Sequence, residues 1–307
     1  MTLTAGFPRR YIPIHTDLFY AVRSVGEPKC CSVRSITEYG KKGSLCFSDR
    51  RDSDYALKCP VKQESTMTNE KREDLEMTEG ISKFLLLQVN DALFPIGGYS
   101  HSYGLETYIQ KGIVKDEDSA GEFIRKRLQY NFFYNDFFAA RLAWEYSEEE
   151  NMEALEELET IMEAGKIPRE TREASRKLGA RFVKTLSGIE VPFRNGVFFR
   201  YREMRKGKTT HHAVAYGVFC QSAGISRKDC LEHFLYAQTS AMVTNCVKTI
   251  PLSQSAGQKL LAETYGLLET MTERVQELSD HWLGLSGPGF DLRCMQHEGL
   301  YSRIYMS

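Results

Sequence analysis

From residue 81 to the end of the chain the apolar residues return at helical intervals, and no run of useful length alternates apolar with polar. In EFIRKRLQYNFFYNDFFAARLAW, Ile124, Leu128, Phe132, Phe133, Phe137 and Ala140 make one broad apolar face, which predicts a helix buried along its length. Neither an Asn-Gly hairpin signal nor a strand period appears in this part, so the chain must close its core by laying helix on helix. The predicted fold is an all-α bundle of antiparallel helix hairpins.

Four further stretches fill in that bundle. Residues 145–163 carry nine glutamates and no basic residue, whereas 166–184 carry seven Lys and Arg against two Glu. Met152, Leu155, Leu158 and Met162 line the first arm, Ala174, Leu178, Phe182 and Leu186 the second, and Gly165 and Pro168 break the chain between them. This pattern predicts an antiparallel hairpin whose opposite charges fix the pairing. HHAVAYGVFCQSAGIS reads as a small-residue apolar helix ended by Gly224, and YAQTSAMVTNCVKTIPLSQSAGQKLLAETYGLL as two helices parted at Pro251. Asp136 sits inside the aromatic run, where a lone charge is costly, so it should meet a cation or a helix N-terminus.

Residues 1–77 show no sustained period, and four of the eight cysteines (Cys30, Cys31, Cys46, Cys59) lie there among polar and basic residues without metal-ligand spacing. Residues 1–80 are therefore expected to be a largely disordered N-terminal extension ending in a charged linker, followed by a helical domain over 81–307. Met1, Met67 and Met77 are three candidate starts. The longest apolar stretch, FLLLQV, is far short of the roughly 20 residues of a membrane span, and the first residues lack the unbroken apolar segment of an export signal. A formal net charge of -1 offers no global attraction for nucleic acid, and the cysteine usage suits reduced thiols in a cytoplasm.

The most specified local segment is FPIGGYSHSYGLE, residues 94–106. No lysine follows its glycines, so it is no phosphate loop, and GKT at 207–209 has Arg202 where a Walker glycine belongs. Gly98-Tyr99-Ser100-His101-Ser102 puts serine where a nucleophile elbow needs its second glycine. What the residues can make is a rigid corner: Pro95 fixes φ, Gly97 and Gly98 admit positive φ, Ser100 or Ser102 can cap the next helix, and Gly104 admits a close backbone. With Tyr99, His101 and Glu106 on it, such a corner reads as a docking loop, a plain structural turn being the alternative. Candidate metal ligands are His211 and His212, which are adjacent and so diverge on a helix, and Cys294 with His297. Lys248, with Asn245 and Gln254 near the Pro251 break, should snorkel to the surface.

Taken together, FPIGGYSHSYGLETYI, PRETREASRKLG, HHAVAYG, VKTIPLSQSAGQ and the terminal MQHEGLYSRIYMS resemble the urease accessory protein F (UreF) family over 81–307. The resemblance implies an all-α protein that dimerises and is not an enzyme. It also implies a scaffold joining the accessory D (or H) protein to the nickel-carrying GTPase accessory G protein, in the complex that delivers nickel to apo-urease. No stably bound cofactor is expected; nickel is handled by the complex. By position, Gly97, Gly98, Tyr99, Ser100, Ser102, Gly104, Leu105 and Glu106 match the family's loop, and Lys248, Pro251, Gln254 and Gln258 its second signature. The loop with Lys248 and Gln254 is expected to face the GTPase. His297, Tyr301, Arg303, Tyr305 and Ser307 make the tail expected to dock on the D/H protein, Tyr305 standing where phenylalanine is more usual. The rival readings are a nickel-binding metallochaperone using His211, His212, Cys294 and His297, and a hydrolase using Ser100.

Overall fold

The computed structural model describes residues 78–285 and 287–307, so the expectations for 1–77 lie outside the described residues. Among the described residues the structure is helical, with no strand and no helix long and apolar enough to cross a membrane. In chain order the helices are α1 (Glu79–Asn90), α2 (Leu105–Gln110), α3 (Glu117–Arg127), α4 (Phe138–Glu148), α5 (Met152–Gly165) and α6 (Arg169–Ser187). They continue with α7 (Val197–Met204), α8 (His212–Ser222), α9 (Arg227–Thr249), α10 (Gln254–Glu263), α11 (Tyr265–Gln276) and α12 (Pro288–His297). Caps set many of the boundaries. Thr78, Asn151, Ser226 and Ser253 each accept a backbone N–H of the first turn, Asp116 and Ser119 form a reciprocal capping box on α3, and Pro168 stops the chain before α6.

The core is organised around α8, which is buried on every side because its residues are small or apolar all round. It lies along α4, and Gly217 makes that approach close: a Cβ there would collide with the Ala140 carbonyl and the Ala143 methyl. Phe182 of α6 and Phe234 of α9 pack their rings on Tyr216 and Phe219 of α8, each ring worth roughly 1.5–3 kcal/mol of apolar burial.

Between α3 and α4 the helix does not stop. Leu128–Phe137 winds as a π-helix, with the Phe138 N–H reaching back to the Phe133 carbonyl. In an ordinary helix Asp136 would stand one turn above Phe132, on the core face. The wider turn keeps Phe132, Phe133 and Phe137 buried and leaves Asp136 against Lys166, whose Nζ donates to both carboxylate oxygens at 2.8 and 2.7 Å. The predicted cation is there. Burial pushes the Asp136 carboxyl up, and the Lys166 ammonium with its hydrogen bonds outweighs this and holds it below the usual range.

The acidic and basic arms do form α5 and α6, but they do not pair as a hairpin. Their apolar stripes face inward, so α5 lies on α4 and α7 while α6 lies on α8 and α12. Consecutive helices that do pack on one another include α4 with α5, α7 with α8 and α9 with α10. Charge pairing between the arms is confined to Glu163 with Arg172 and Arg176 beside the turn; Glu150 and Glu156 bind Arg200 and Lys208 instead.

Buried titratable groups tie these helices together and couple the fold to pH. His101, His211 and His212 are held neutral chiefly by burial, at about 4, about 3 and about 4 against an ordinary 6.5. His211 sits between Ser175 and Glu163, so its contact with Glu163 is a neutral hydrogen bond. Glu159 is pushed the other way, up to about 7, by burial; Tyr201 and the His211 backbone N–H donate to it. Below 6.5 the unfolded chain takes up three protons that the fold refuses, so the histidines make stability fall as pH falls toward 4. Glu159 opposes them, since its contribution is full below 4.5 and is lost as pH rises through about 7. The expected outcome in calorimetry is a melting temperature that drops as pH is lowered from 6.5 toward 4, and drops more steeply in Glu159→Gln.

Candidate docking site

The corner begins at Pro95, turns left-handed at Gly97 (φ +84°), makes a short 3-10 turn over Gly98–Ser100, and reaches α2 through Tyr103 (φ +52°) and Gly104 (φ +84°). Gly104 caps α2 rather than lying inside it, and a Cβ there would press on the Cys294 backbone N at 3.1 Å and its Sγ at 2.9 Å. Gly98 has neither a positive φ nor a close neighbour, so its expected conformational role is not seen. The serines do not cap α2 either: Ser100 Oγ donates to the Gly97 carbonyl at 2.8 Å, and Ser102 Oγ to the Ser307 main-chain oxygen at 2.8 Å. Three helices brace the corner from behind. Arg181 of α6 donates to the Ile96 carbonyl at 3.1 Å, Asn245 of α9 to the His101 carbonyl at 2.9 Å, and Arg127 of α3 to the Tyr103 carbonyl at 2.8 Å with its guanidinium over the Tyr103 ring.

Against this corner lies the C-terminal tail. Met306 N donates to the Ser100 carbonyl at 2.8 Å, the Ser102 and Tyr103 amides donate to the Ser307 main-chain oxygen at 2.6 and 2.8 Å, and His101 Nδ1 meets Ser307 Oγ at 2.9 Å. Glu106, buried at the start of α2, accepts the Ile304 N–H at 2.8 Å, the Tyr305 N–H at 3.0 Å and His297 Nε2 at 3.0 Å. His297 Nδ1 meets Glu170 of α6 at 2.6 Å, and Glu170 also accepts from Arg303 at 2.6 Å. Loop and tail, two separate motifs in the sequence, are one clasp. Around it the side chains point outward: Tyr301 is fully exposed, Ile304 is 74% exposed, Tyr99 is 68% exposed, and Met306 and Leu292 are also exposed.

Not every matched residue joins the clasp. Lys248 reaches solvent as expected and lies one turn beyond Asn245, while Gln254 is exposed in the first turn of α10. Tyr305 is buried with its hydroxyl unpartnered, so the phenol that replaces the usual ring gains no hydrogen bond. Glu170 went unrecognised in the sequence because it reads there as one of two acids in a basic arm. Arg127 and Asn245 were legible only as residues on helices.

Behind the corner is a cavity of about 100 Å³, lined by Asp136, Lys166, Tyr103, His212, Asn245 and Cys294 among others. It brings together only part of the proposed metal set. Among the described residues no group of three or more His, Cys, Asp and Glu is placed to hold a metal ion. His297 has both nitrogens engaged by carboxylates, burial pushes the Cys294 thiol up, and His211 bonds Ser175 and Glu163. Ser100 donates its hydroxyl to the Gly97 carbonyl, and the ring of neighbouring His101 meets Ser307 instead.

Fold and site thus define an all-helical protein whose most elaborate polar site clasps its own C-terminal tail beneath exposed apolar side chains. The sequence model of the UreF family matches residues 114–265. The chain is 35% identical over 224 residues to "Urease accessory protein UreF" of Haemophilus influenzae (strain PittGG), covering 72% of this chain and 94% of the relative. It is 32% identical over 224 residues to the protein of the same description from Bacillus sp. (strain TB-90), covering 72% and 97%. The chain belongs to the UreF family of urease accessory proteins.

Replacing Glu106 by alanine removes the acceptor of the buried Tyr305 N–H, of the part-buried Ile304 N–H and of one nitrogen of His297, a loss on the order of 3 kcal/mol. In urea titration Glu106→Ala is expected to unfold at lower denaturant, and limited proteolysis is expected to cut residues 300–307 first.

Proposed function

We propose that the protein is a non-catalytic scaffold of urease maturation in the cytoplasm, working as a homodimer, that joins the accessory D/H protein to the nickel-carrying GTPase G and couples GTP hydrolysis to nickel delivery into apo-urease. The observation that carries this is the clasp. Backbone groups of 304–307 are fixed by Glu106, Ser100, Ser102 and Tyr103, while Tyr301 and Ile304 are left fully or largely exposed. A tail held rigidly with apolar side chains turned outward has the anatomy of a recognition patch, because little ordering entropy is left to lose on binding. Tyr99 on the corner, with the exposed Lys248 and Gln254, supplies the residues assigned to the GTPase face.

The test is capture by the D/H protein. Tyr301→Ala and Arg303→Ala are each expected to lower capture about tenfold or more at unchanged helicity, consistent with hot-spot truncation of about 2 kcal/mol. Capture equal to the wild type overturns the assignment of the tail.

Nickel belongs to the complex in this proposal. The engaged state of His211 and His297 supports that reading over a metallochaperone in its own right. Equilibrium dialysis of the isolated chain is expected to retain no stoichiometric nickel; one tightly held ion per chain would favour the metallochaperone.

A further inference from the structure

His297 is fully buried with both ring nitrogens on carboxylate oxygens, Nε2 on Glu106 at 3.0 Å and Nδ1 on Glu170 at 2.6 Å. Two donors are needed, and a neutral imidazole has one. A second proton must therefore lie in one of the two contacts, on the ring or on the carboxylate oxygen that faces it. Glu106 accepts the Ile304 N–H on Oε1 and the Tyr305 N–H on Oε2, and Glu170 accepts Arg303 on the oxygen that His297 does not use. With both carboxylates ionised, the two contacts are satisfied together only when the ring carries two protons. It is then an imidazolium joining α2, α6 and α12 beneath the tail.

We propose that His297 is a proton-controlled latch: protonated, it locks residues 303–307 onto the corner, and losing its proton frees them. A neutral ring can donate to only one partner and turns a lone pair toward the other carboxylate, within 3.0 Å. Glu106 binds the tail backbone at 304 and 305 and Glu170 binds Arg303, so repulsion at either one loosens that part of the tail. The other charges near the ring do not replace it. Arg303 is already on Glu170, Arg169 is on Glu298, and Arg127 faces Tyr103 and Cys294, one turn back along α12.

A rise in local pH would then dismantle the outward-facing surface. That consequence rests on the tail being the docking patch; the latch itself does not.

The experiment uses the full chain without partners. Amide exchange of Ile304, Tyr305 and Met306 is followed by mass spectrometry from about pH 5 to about pH 8, where histidine side chains ordinarily change charge, and corrected for intrinsic exchange. The protonation of His297 is read in parallel by NMR of isotope-labelled imidazoles. Protection is expected to fall about tenfold, with a midpoint coincident with the His297 titration, since losing one charge-assisted hydrogen bond is worth about that factor. His297→Gln is expected to show low protection that does not change with pH. Constant protection through the His297 titration overturns the latch, and so does an undiminished pH-dependent loss in His297→Gln. If that variant does not fold, the two wild-type profiles decide alone. Because partner capture is no part of the readout, a failed docking assignment leaves this result standing, and a failed latch leaves the docking assignment standing.

Discussion

A single carboxylate at the start of a six-residue helix gathers three of the contacts that give the C-terminal tail its structure. Glu106 takes two consecutive backbone N–H groups of the tail and one nitrogen of His297, so it replaces the secondary structure that residues 304–305 do not form for themselves. A buried carboxylate is tolerable only with that many donors. Its place is set by Gly104, whose left-handed φ starts α2 where α12 can come within contact of its backbone. The corner, the short helix and the tail are therefore mutually dependent, and the braces from Arg127, Arg181 and Asn245 join them to three different helices of the bundle.

The helical character of the chain was legible because it rests on periodicity alone, and so was the partner of Asp136, because a charge among phenylalanines has few solutions. The pairing of α5 with α6 was misread for a physical reason. Complementary surface charge is weak, about 0–1 kcal/mol per exposed pair, whereas each arm carries an apolar stripe that gains more by facing α4 or α8. The π-winding at Leu128–Phe137 left no signal in a pattern that ordinary helix also fits.

The site divided in the same way. Gly97, Gly104 and Glu106 were readable as a costly corner since glycine, proline and a lone acid in a tight space have few uses. That the corner's partner is the chain's own tail was not readable, because the two lie some 200 residues apart and no local rule links them. Glu170 shows the limit most plainly: its chemistry depends on His297 and Arg303, neither of which is near it in sequence.

The approach of α4 and α8 at Gly217 has a mechanical meaning for the scaffold role proposed above. Where main chain meets main chain there is no layer of side chains to change rotamer and let one rod slip past the other. The middle of the molecule behaves as a splint. Any response to a neighbour or to the medium must then be expressed at the periphery, as segments that seat or lift away, while the frame beneath keeps its dimensions.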